Sequence, residues 1–466
     1  MQEKKQALVI ADLGFGDAGK GTIVDFLTRR CSAQTIVRYN GGPQAAHNVV
    51  CADGRHHTFS QFASGMFLPG TRTLLSRFML INPLNMLKEA RHLNACGITD
   101  ALQRVQIDQR ALVITPFQRA INRLREIARA EQRHGSCGEG IGECMADALQ
   151  YGDAVLQAGD LASDATLTRK LHFMRDAKWS EFAELEPLLP RTEIVRQESA
   201  VFTDPGTLIA CAEVYRHFST HVEVLDAASV RALFAQSGTM LFEGAQGILL
   251  DENYGFTPYT TWSTTTCANA QTLIEENNYT GKVSKIGVMR TYATRHGAGP
   301  FPTEDAELAA TLPETHNAWN DWQRAFRSGH CDLVATRYAR DVTGEFDYLA
   351  LTHLDRLVGL PTWPMCTAYR YQGAPTDLSS HFEHKGNDIH ALRVQRPPDL
   401  ERQAQLTQLL HSCTPIYQTF TARPRSGPAS SVWAEACSFI EEQLGAPIAI
   451  TSDGPTAADK ICRLLS

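Results

Sequence analysis

Gly14-Phe15-Gly16-Asp17-Ala18-Gly19-Lys20-Gly21 satisfies the G-x-x-x-x-G-K pattern of a phosphate-binding loop, then departs from it with Gly21 where Ser or Thr ordinarily stands. The glycines let backbone amides face phosphate oxygens at a helix N-terminus, and Lys20 supplies a point charge for the β- or γ-phosphate. With no hydroxyl at position 21, another group must hold a magnesium ion, and Asp17 inside the loop is the nearest hard oxygen ligand. A carboxylate beside nucleotide phosphates could also take a proton from a second substrate. The plainer alternative is an Asp that only bonds loop amides.

A second block, Val37-Arg38-Tyr39-Asn40-Gly41-Gly42-Pro43-Gln44-Ala45-Ala46-His47-Asn48, joins a strand end, a glycine turn and a histidine. A lone histidine is usually structural. Here it follows a second glycine turn one strand beyond the phosphate loop, so both strand ends can face one crevice and His47 can serve as an acid.

The elements that must carry these loops alternate. ALVIAD reads as a strand ending at the loop, TIVDFLTRR has helical spacing, and QTIVRYN, TRTLLS and RVQIDQRALVIT read as further strands with helical stretches such as NPLNMLKEARHLNACG between them. This predicts an α/β fold with a large, mostly parallel central sheet. Residues from about 145 to 235 read as a helical insertion, after which TMLFEG, SKIGVMRTYAT, FDYLALTHLD and APIAITS restore strand character. A chain of 466 residues implies two domains or one large one, and the continuing alternation favours a single domain over 1–466 with that insertion.

Composition excludes several classes. A net charge of -7 argues against a general nucleic-acid binder, which needs a basic excess or stripe. Twelve cysteines spread from Cys31 to Cys462 without a C-x-x-C pair fit reduced thiols and a cytoplasmic protein better than a disulfide frame or a zinc ribbon. No run approaches the roughly 18 apolar residues of a membrane span, and the N-terminal apolar run is too short for a secretory signal.

The two glycine blocks together resemble the adenylosuccinate synthetase family, which joins a G-D-x-G-K-G loop to a G-G-x-x-A-x-H turn. Phe242 to Asp251 is similar to that family's E-G-A-Q-G segment, and Thr294 to Glu304 to its T-R-x-G-x-G-P-F-P-T-E segment. Leu351-Thr352-His353-Leu354-Asp355 resembles the guanine-reading L-T-K-L-D strand with His353 in place of lysine, and Ser452-Asp453-Gly454-Pro455 resembles the S-x-G-P turn over the same base.

The resemblance implies a GTP-dependent ligase that phosphorylates the 6-oxo group of an IMP-like purine and joins L-aspartate to it, working as a homodimer with Mg2+. It implies catalytic roles for Asp17, His47 and Gln246, and metal ligation by Asp17 and the Ala46 carbonyl. For GTP it implies Gly16, Asp17, Gly19, Lys20, Gly21, His47, His353, Asp355, Ser452, Gly454 and Pro455. For the other substrates it implies Gln44, Cys137, Gln246, Thr261, Arg324 and Arg327.

Two stretches depart from the family pattern. The T-T-G-R-G-I-G motif that binds a 5′-phosphate reads Ser136-Cys137-Gly138-Glu139-Gly140-Ile141-Gly142, with a carboxylate in place of the arginine. The arginine-rich amino-acid loop is reduced to Arg324 and Arg327, either of which could clamp a carboxylate. Glu139 keeps open a specialised paralogue acting on another purine, a nucleoside or an oxo-heterocycle. A GTP-binding regulator is a third reading, although a switch needs neither Asp17 nor the distant His47 and Gln246.

Overall fold

The computed structural model describes residues 5–130, 136–312, 326–422 and 428–463. Its centre is a ten-stranded sheet: β1 (Gln6–Asp12), β2 (Thr35–Arg38), β3 (Arg72–Leu75), β4 (Val105–Asp108), β5 (Glu223–Leu225), β6 (Thr239–Glu243), β7 (Lys282–Arg290), β8 (Tyr348–Thr352), β9 (Ile448–Ser452) and β10 (Lys460–Cys462). Across the sheet the order is β10-β9-β8-β7-β1-β6-β2-β3-β4-β5, and every pairing is parallel except that of β9 with β10. Strands covered on both faces are mostly apolar, so β2, β6 and β9 are buried at every position and read as continuous runs rather than alternations, β2 and β6 each closing on one buried charged residue, Arg38 and Glu243.

β1 lies mid-sheet, between β6, which leads to the early strands, and β7, which leads to the late ones. Loops leaving the carboxyl ends of β1 and of its neighbours therefore diverge and open a crevice there. The helix α1 (Lys20–Cys31) starts from that edge, capped by Gly19 in the left-handed conformation at φ 86°.

Residues 141–235 are largely helical, with helices over Ile141–Tyr151, Asp164–Leu185, Glu193–Thr203, Gly206–Ser219 and Ala227–Ala235. They enclose an apolar cluster with Phe117, Ile121, Leu124, Met174, Phe182 and Phe202. The segment is not helical throughout: β5 lies inside it and extends the central sheet beside β4.

Two segments expected as single strands are divided. RVQIDQRALVIT breaks after β4, because the Asp108 carboxylate accepts from the Arg110 amide at 3.0 Å and holds a turn before Leu112–Val113 resumes. SKIGVMRTYAT breaks after Arg290: β7 ends there, and Tyr292–His296 pairs antiparallel with Phe326–Asp332 instead. That pair belongs to a second, six-stranded sheet, mostly of C-terminal segments, which the sequence reading did not anticipate. One apolar cluster running from Ala7 to Ile448 joins the two sheets.

Candidate active site

Asp12 ends β1, and the phosphate loop folds around its carboxylate. It accepts from the Gly14 amide at 2.8 Å, the Ala18 amide at 2.9 Å and Lys20 Nζ at 2.8 Å. Lys20 is thus held at the loop before any phosphate arrives, by an acidic residue that the sequence reading treated only as the end of a strand.

Gly21 has a packing reason. A Cβ at this position would stand 2.8 Å from Cβ of His47 and 3.1 Å from its carbonyl carbon. The hydroxyl-bearing residue of an ordinary phosphate loop is excluded because the strand His47–Val50 lies directly against the start of α1.

Asp17 occupies the left-handed region at φ 58°. Its Oδ2 lies 3.2 Å from Nε2 of His296, and its carbonyl accepts from Arg290 Nη1 at 3.2 Å. Burial pushes the carboxyl up, but the hydrogen bond and charge of His296, with Lys20 and Arg290, outweigh it and hold Asp17 below the usual carboxylate range. An ionised carboxylate at that point can bind a cation or take a proton. Neither Arg290 nor His296 stood out in the sequence.

His47 contacts Glu243, the last residue of β6, through Nδ1 to Oε1 at 2.6 Å. Glu243 also accepts from the amide of Ser64 at 3.0 Å and from its hydroxyl. Its burial is outweighed by Arg38, His47 and Ser64, which bring its carboxyl down to about 2, while burial lowers the basicity of His47 against the pull of Glu243. The stable arrangement is an ionised Glu243 and a neutral imidazole donating through Nδ1, which leaves Nε2 as its second polar atom.

Gln44 and Gln246 carry the clearest sign of an expected ligand. Both side-chain polar atoms of each are buried without a hydrogen-bond partner among the described residues, and both side chains line the same cleft as Asp17 and His47. Orphaned amides of this kind cost free energy unless something polar enters between them.

The far end of the cleft belongs to β8 and β9. Thr352 donates to the Ala18 carbonyl at 2.8 Å, tying β8 to the phosphate loop, and His353 follows in the left-handed region at φ 61°. Burial and the nearby Arg290 push the imidazole of His353 well below its ordinary range, so it is present as a neutral ring. Ser452 donates to the Gly454 carbonyl at 3.0 Å, and the Pro455 carbonyl accepts from Thr22 of α1 at 2.8 Å. The turn after β9 is thereby fixed against the start of α1, in the cleft that Asp355 also lines.

One cleft of about 540 Å3 is lined by Gly16, Asp17, Gly19, Lys20, Gly21, Gln44, Ala46, His47, Gln246, His353, Asp355, Ser452, Gly454 and Pro455 among the expected residues, together with Arg290 and His296. That volume suits a nucleotide-sized ligand. Cys137, Thr261 and Arg327 do not line it. The Thr261 amide donates to the carbonyl of Leu250, a lining residue, at 2.8 Å. Burial pushes the Cys137 thiol up to about 12, so it offers only a weak neutral donor. Arg327 is already paired with Glu304 at 2.6 Å and donates to the Gly297 and Gly299 carbonyls. Arg324 lies outside the described residues.

Glu139 is not an isolated charge. Asn85 Nδ2 donates to it at 2.9 Å, and Arg123 Nη2 stands 3.6 Å away.

A phosphate loop at the carboxyl edge of a parallel sheet, with a carboxylate inside the loop and a histidine–carboxylate pair across the cleft, defines a nucleotide-dependent enzyme that moves protons as well as phosphate. The family model for adenylosuccinate synthetase matches residues 9–461. Among relatives, the adenylosuccinate synthetase of Desulfovibrio desulfuricans is 32% identical over 80% of this chain and 84% of its own length. That of Chlorobium chlorochromatii is 31% identical over 98% of this chain and 97% of its own. The chain belongs to the adenylosuccinate synthetase family, whose members are GTP-dependent ligases forming a carbon–nitrogen bond.

Two solved structures share the fold. Fully ligated adenylosuccinate synthetase from Plasmodium falciparum superposes with a TM-score of 0.75 at 19% identity, covering 98% of this chain and 99% of that one. The succinoaminodeoxyadenylate synthetase of cyanophage S-2L, bound to dGMP and to dATP as an energy donor, gives a TM-score of 0.58 at 17% identity, covering 98% and 95%.

Proposed function

We propose that this chain joins L-aspartate to carbon 6 of an IMP-like 6-oxopurine at the expense of GTP, with Asp17, His47 and Gln246 as its catalytic residues. The observation that carries the reading is the meeting of an ionised Asp17 with His47 and the unpartnered amides of Gln44 and Gln246 in one cleft.

Asp17 takes the proton from the ring nitrogen next to the carbonyl, so electron density moves onto the 6-oxygen, which attacks the γ-phosphorus while GDP leaves. Gln246 donates from its amide to the developing oxyanion, and His47, held through Nδ1 by Glu243, donates from Nε2 after taking a proton there from solvent, becoming an imidazolium that the ionised Glu243 stabilises. The amine of aspartate then attacks carbon 6 and phosphate departs, so one carbon–oxygen bond is exchanged for one carbon–nitrogen bond. Lys20 and the loop amides orient the phosphates, and Asp355 accepts two hydrogen bonds from the guanine ring N–H and amino group.

Among the described residues there is no group of three or more His, Cys, Asp or Glu able to hold a metal ion. Asp17 and the Ala46 carbonyl, both lining the cleft, suit Mg2+, which is bound through few protein oxygens and otherwise through phosphates and water. Bound there, it would neutralise charge on the transferring phosphoryl group. Arg327 or Arg324 would receive the aspartate carboxylate, Cys137 and Thr261 the ribose-phosphate end. A homodimer in the cytoplasm completes the reading, consistent with the lack, among the described residues, of any helix long and apolar enough to cross a membrane.

Glu139 favours a second reading, in which the acceptor is a nucleoside or a modified purine. One assay separates the two: GTP-dependent phosphate release with Mg2+, aspartate and either IMP or inosine, with mass detection of the product. Succinylated IMP supports the first reading, and product from inosine alone supports the second. GTP binding without turnover on any acceptor would sink both and leave a nucleotide-binding regulator.

A further inference from the structure

His296 follows Arg295, whose guanidinium is buried and fixed. It donates to the carbonyls of Ala298 at 3.1 Å and Pro300 at 2.7 Å, and it lies 4.2 Å over the ring of Phe15 in the phosphate loop. The loop carrying His296 is therefore clamped to the loop carrying Asp17. The imidazole packs edge-on against Phe326, with centroids 4.7 Å apart, and directs Nε2 to Asp17 Oδ2 at 3.2 Å while lining the cleft. Its Nδ1 is buried and has no hydrogen-bond partner among the described residues.

An ionised carboxylate only accepts, so the hydrogen of this contact is on Nε2. A carboxylate in a flexible loop has a free rotation about its terminal bond, and a loop residue at positive φ has no regular element to restrain it. A donor fixed from behind removes that freedom and leaves the remaining lone pairs of Asp17 directed into the cleft. The 2 histidine–carboxylate contacts of the site are thus reversed in sense: Glu243 stands behind His47, and His296 stands behind Asp17.

We propose that His296 is a positioning residue for the reaction, holding the Asp17 carboxylate in the orientation that accepts the acceptor's ring proton. The role rests on the ligase reading in taking Asp17 as the proton acceptor, whereas the contact itself does not.

Two measurements test it. In selectively labelled protein, the ring nitrogens of His296, assigned by their disappearance in His296→Gln, should report hydrogen on Nε2 and a bare Nδ1, and both should shift in Asp17→Ala. A bare Nε2, or signals unmoved by Asp17→Ala, would overturn the contact whether or not any acceptor is turned over. In the ligase assay, His296→Leu should lower kcat about tenfold with the KM for GTP within about twofold of wild type, as expected for loss of one hydrogen bond to a charged group acting in the chemical step. His296→Gln, which keeps an N–H donor near the Nε2 position, should recover most of that loss. Equal kcat for His296→Leu and wild type, or equal loss in Leu and Gln variants, would refute positioning. An inactive wild type with the expected ring signals would instead count against the ligase reading alone.

Discussion

Nδ1 of His47 meets Oε1 of Glu243 at 2.6 Å, and Glu243 is the strand partner of Arg38, so one buried carboxylate accepts from the imidazole and lies in the field of a buried guanidinium. Its value depends on ionisation. Glu243→Gln removes the charged acceptor of His47 and Ser64 and the negative charge near the buried Arg38 guanidinium, and should cost about 2 kcal/mol in chemical denaturation at neutral pH.

The pH dependence follows from the same depressed carboxyl. Its folded value of about 2 lies below the ordinary 4.5, so its contribution is fully present above about pH 4.5 and is lost as pH falls through about 2. The stability difference between wild type and Glu243→Gln should therefore shrink as pH is lowered across that window. A difference that stays constant down to pH 2.5 would contradict an ionised Glu243.

Gly21→Ser would restore the residue type of an ordinary phosphate loop, yet the 2.8 Å approach of His47 leaves no room for its Cβ. The strand carrying His47 must shift, with a cost of about 1–3 kcal/mol of overpacking. Expected outcomes are a lower thermal midpoint and loss of ligase turnover despite the added hydroxyl. A serine variant as stable and active as wild type would show that the close approach is not maintained in solution.

Much of this site was legible because phosphate chemistry demands glycine and lysine in a fixed local order. Gly16, Gly19 and Lys20 are near in sequence and in space, and each strand end that completes the cleft carries its own turn motif. Glu243, Arg290 and His296 were missed for a common reason: each acts through a residue remote in sequence, whereas Asp12 bonds its own loop and was hidden as the last residue of an apolar strand. Glu243 is 196 positions from His47, and the two meet because β6 pairs with β2 and the turn after β2 returns His47 to that strand end. The second sheet was missed because the strand Thr362–Tyr371 pairs with Phe326–Asp332 before it and with Asp388–Leu392 and Cys413–Thr421 after it, a non-local pattern that periodicity does not encode.

Asp355→Asn tests base recognition. Asparagine keeps one acceptor but turns an amide N–H toward a guanine donor, so the KM for GTP should rise about 10–100-fold. Inosine triphosphate lacks the exocyclic amine and should be affected less. The ratio of kcat/KM for the two nucleotides, measured in both proteins, checks this; an unchanged ratio would remove Asp355 from base reading.

Glu139→Gln tests the acceptor's outer end. The carboxylate is partly answered by Asn85 at 2.9 Å and by Arg123 at 3.6 Å, and Arg123 is itself shared with Glu198 at 2.7 Å. What remains is a partial negative charge beside the Cys137 segment that would receive a phosphomonoester. Across a solvated gap such a charge opposes a phosphate by about 1 kcal/mol, so neutralising it should tighten IMP binding about fivefold and leave inosine unchanged. Raising the ionic strength should narrow the gain, because exposed like charges are screened within about 10 Å at 0.1 M salt. Equal responses of IMP and inosine would mean that Glu139 acts through packing of its loop and not through charge.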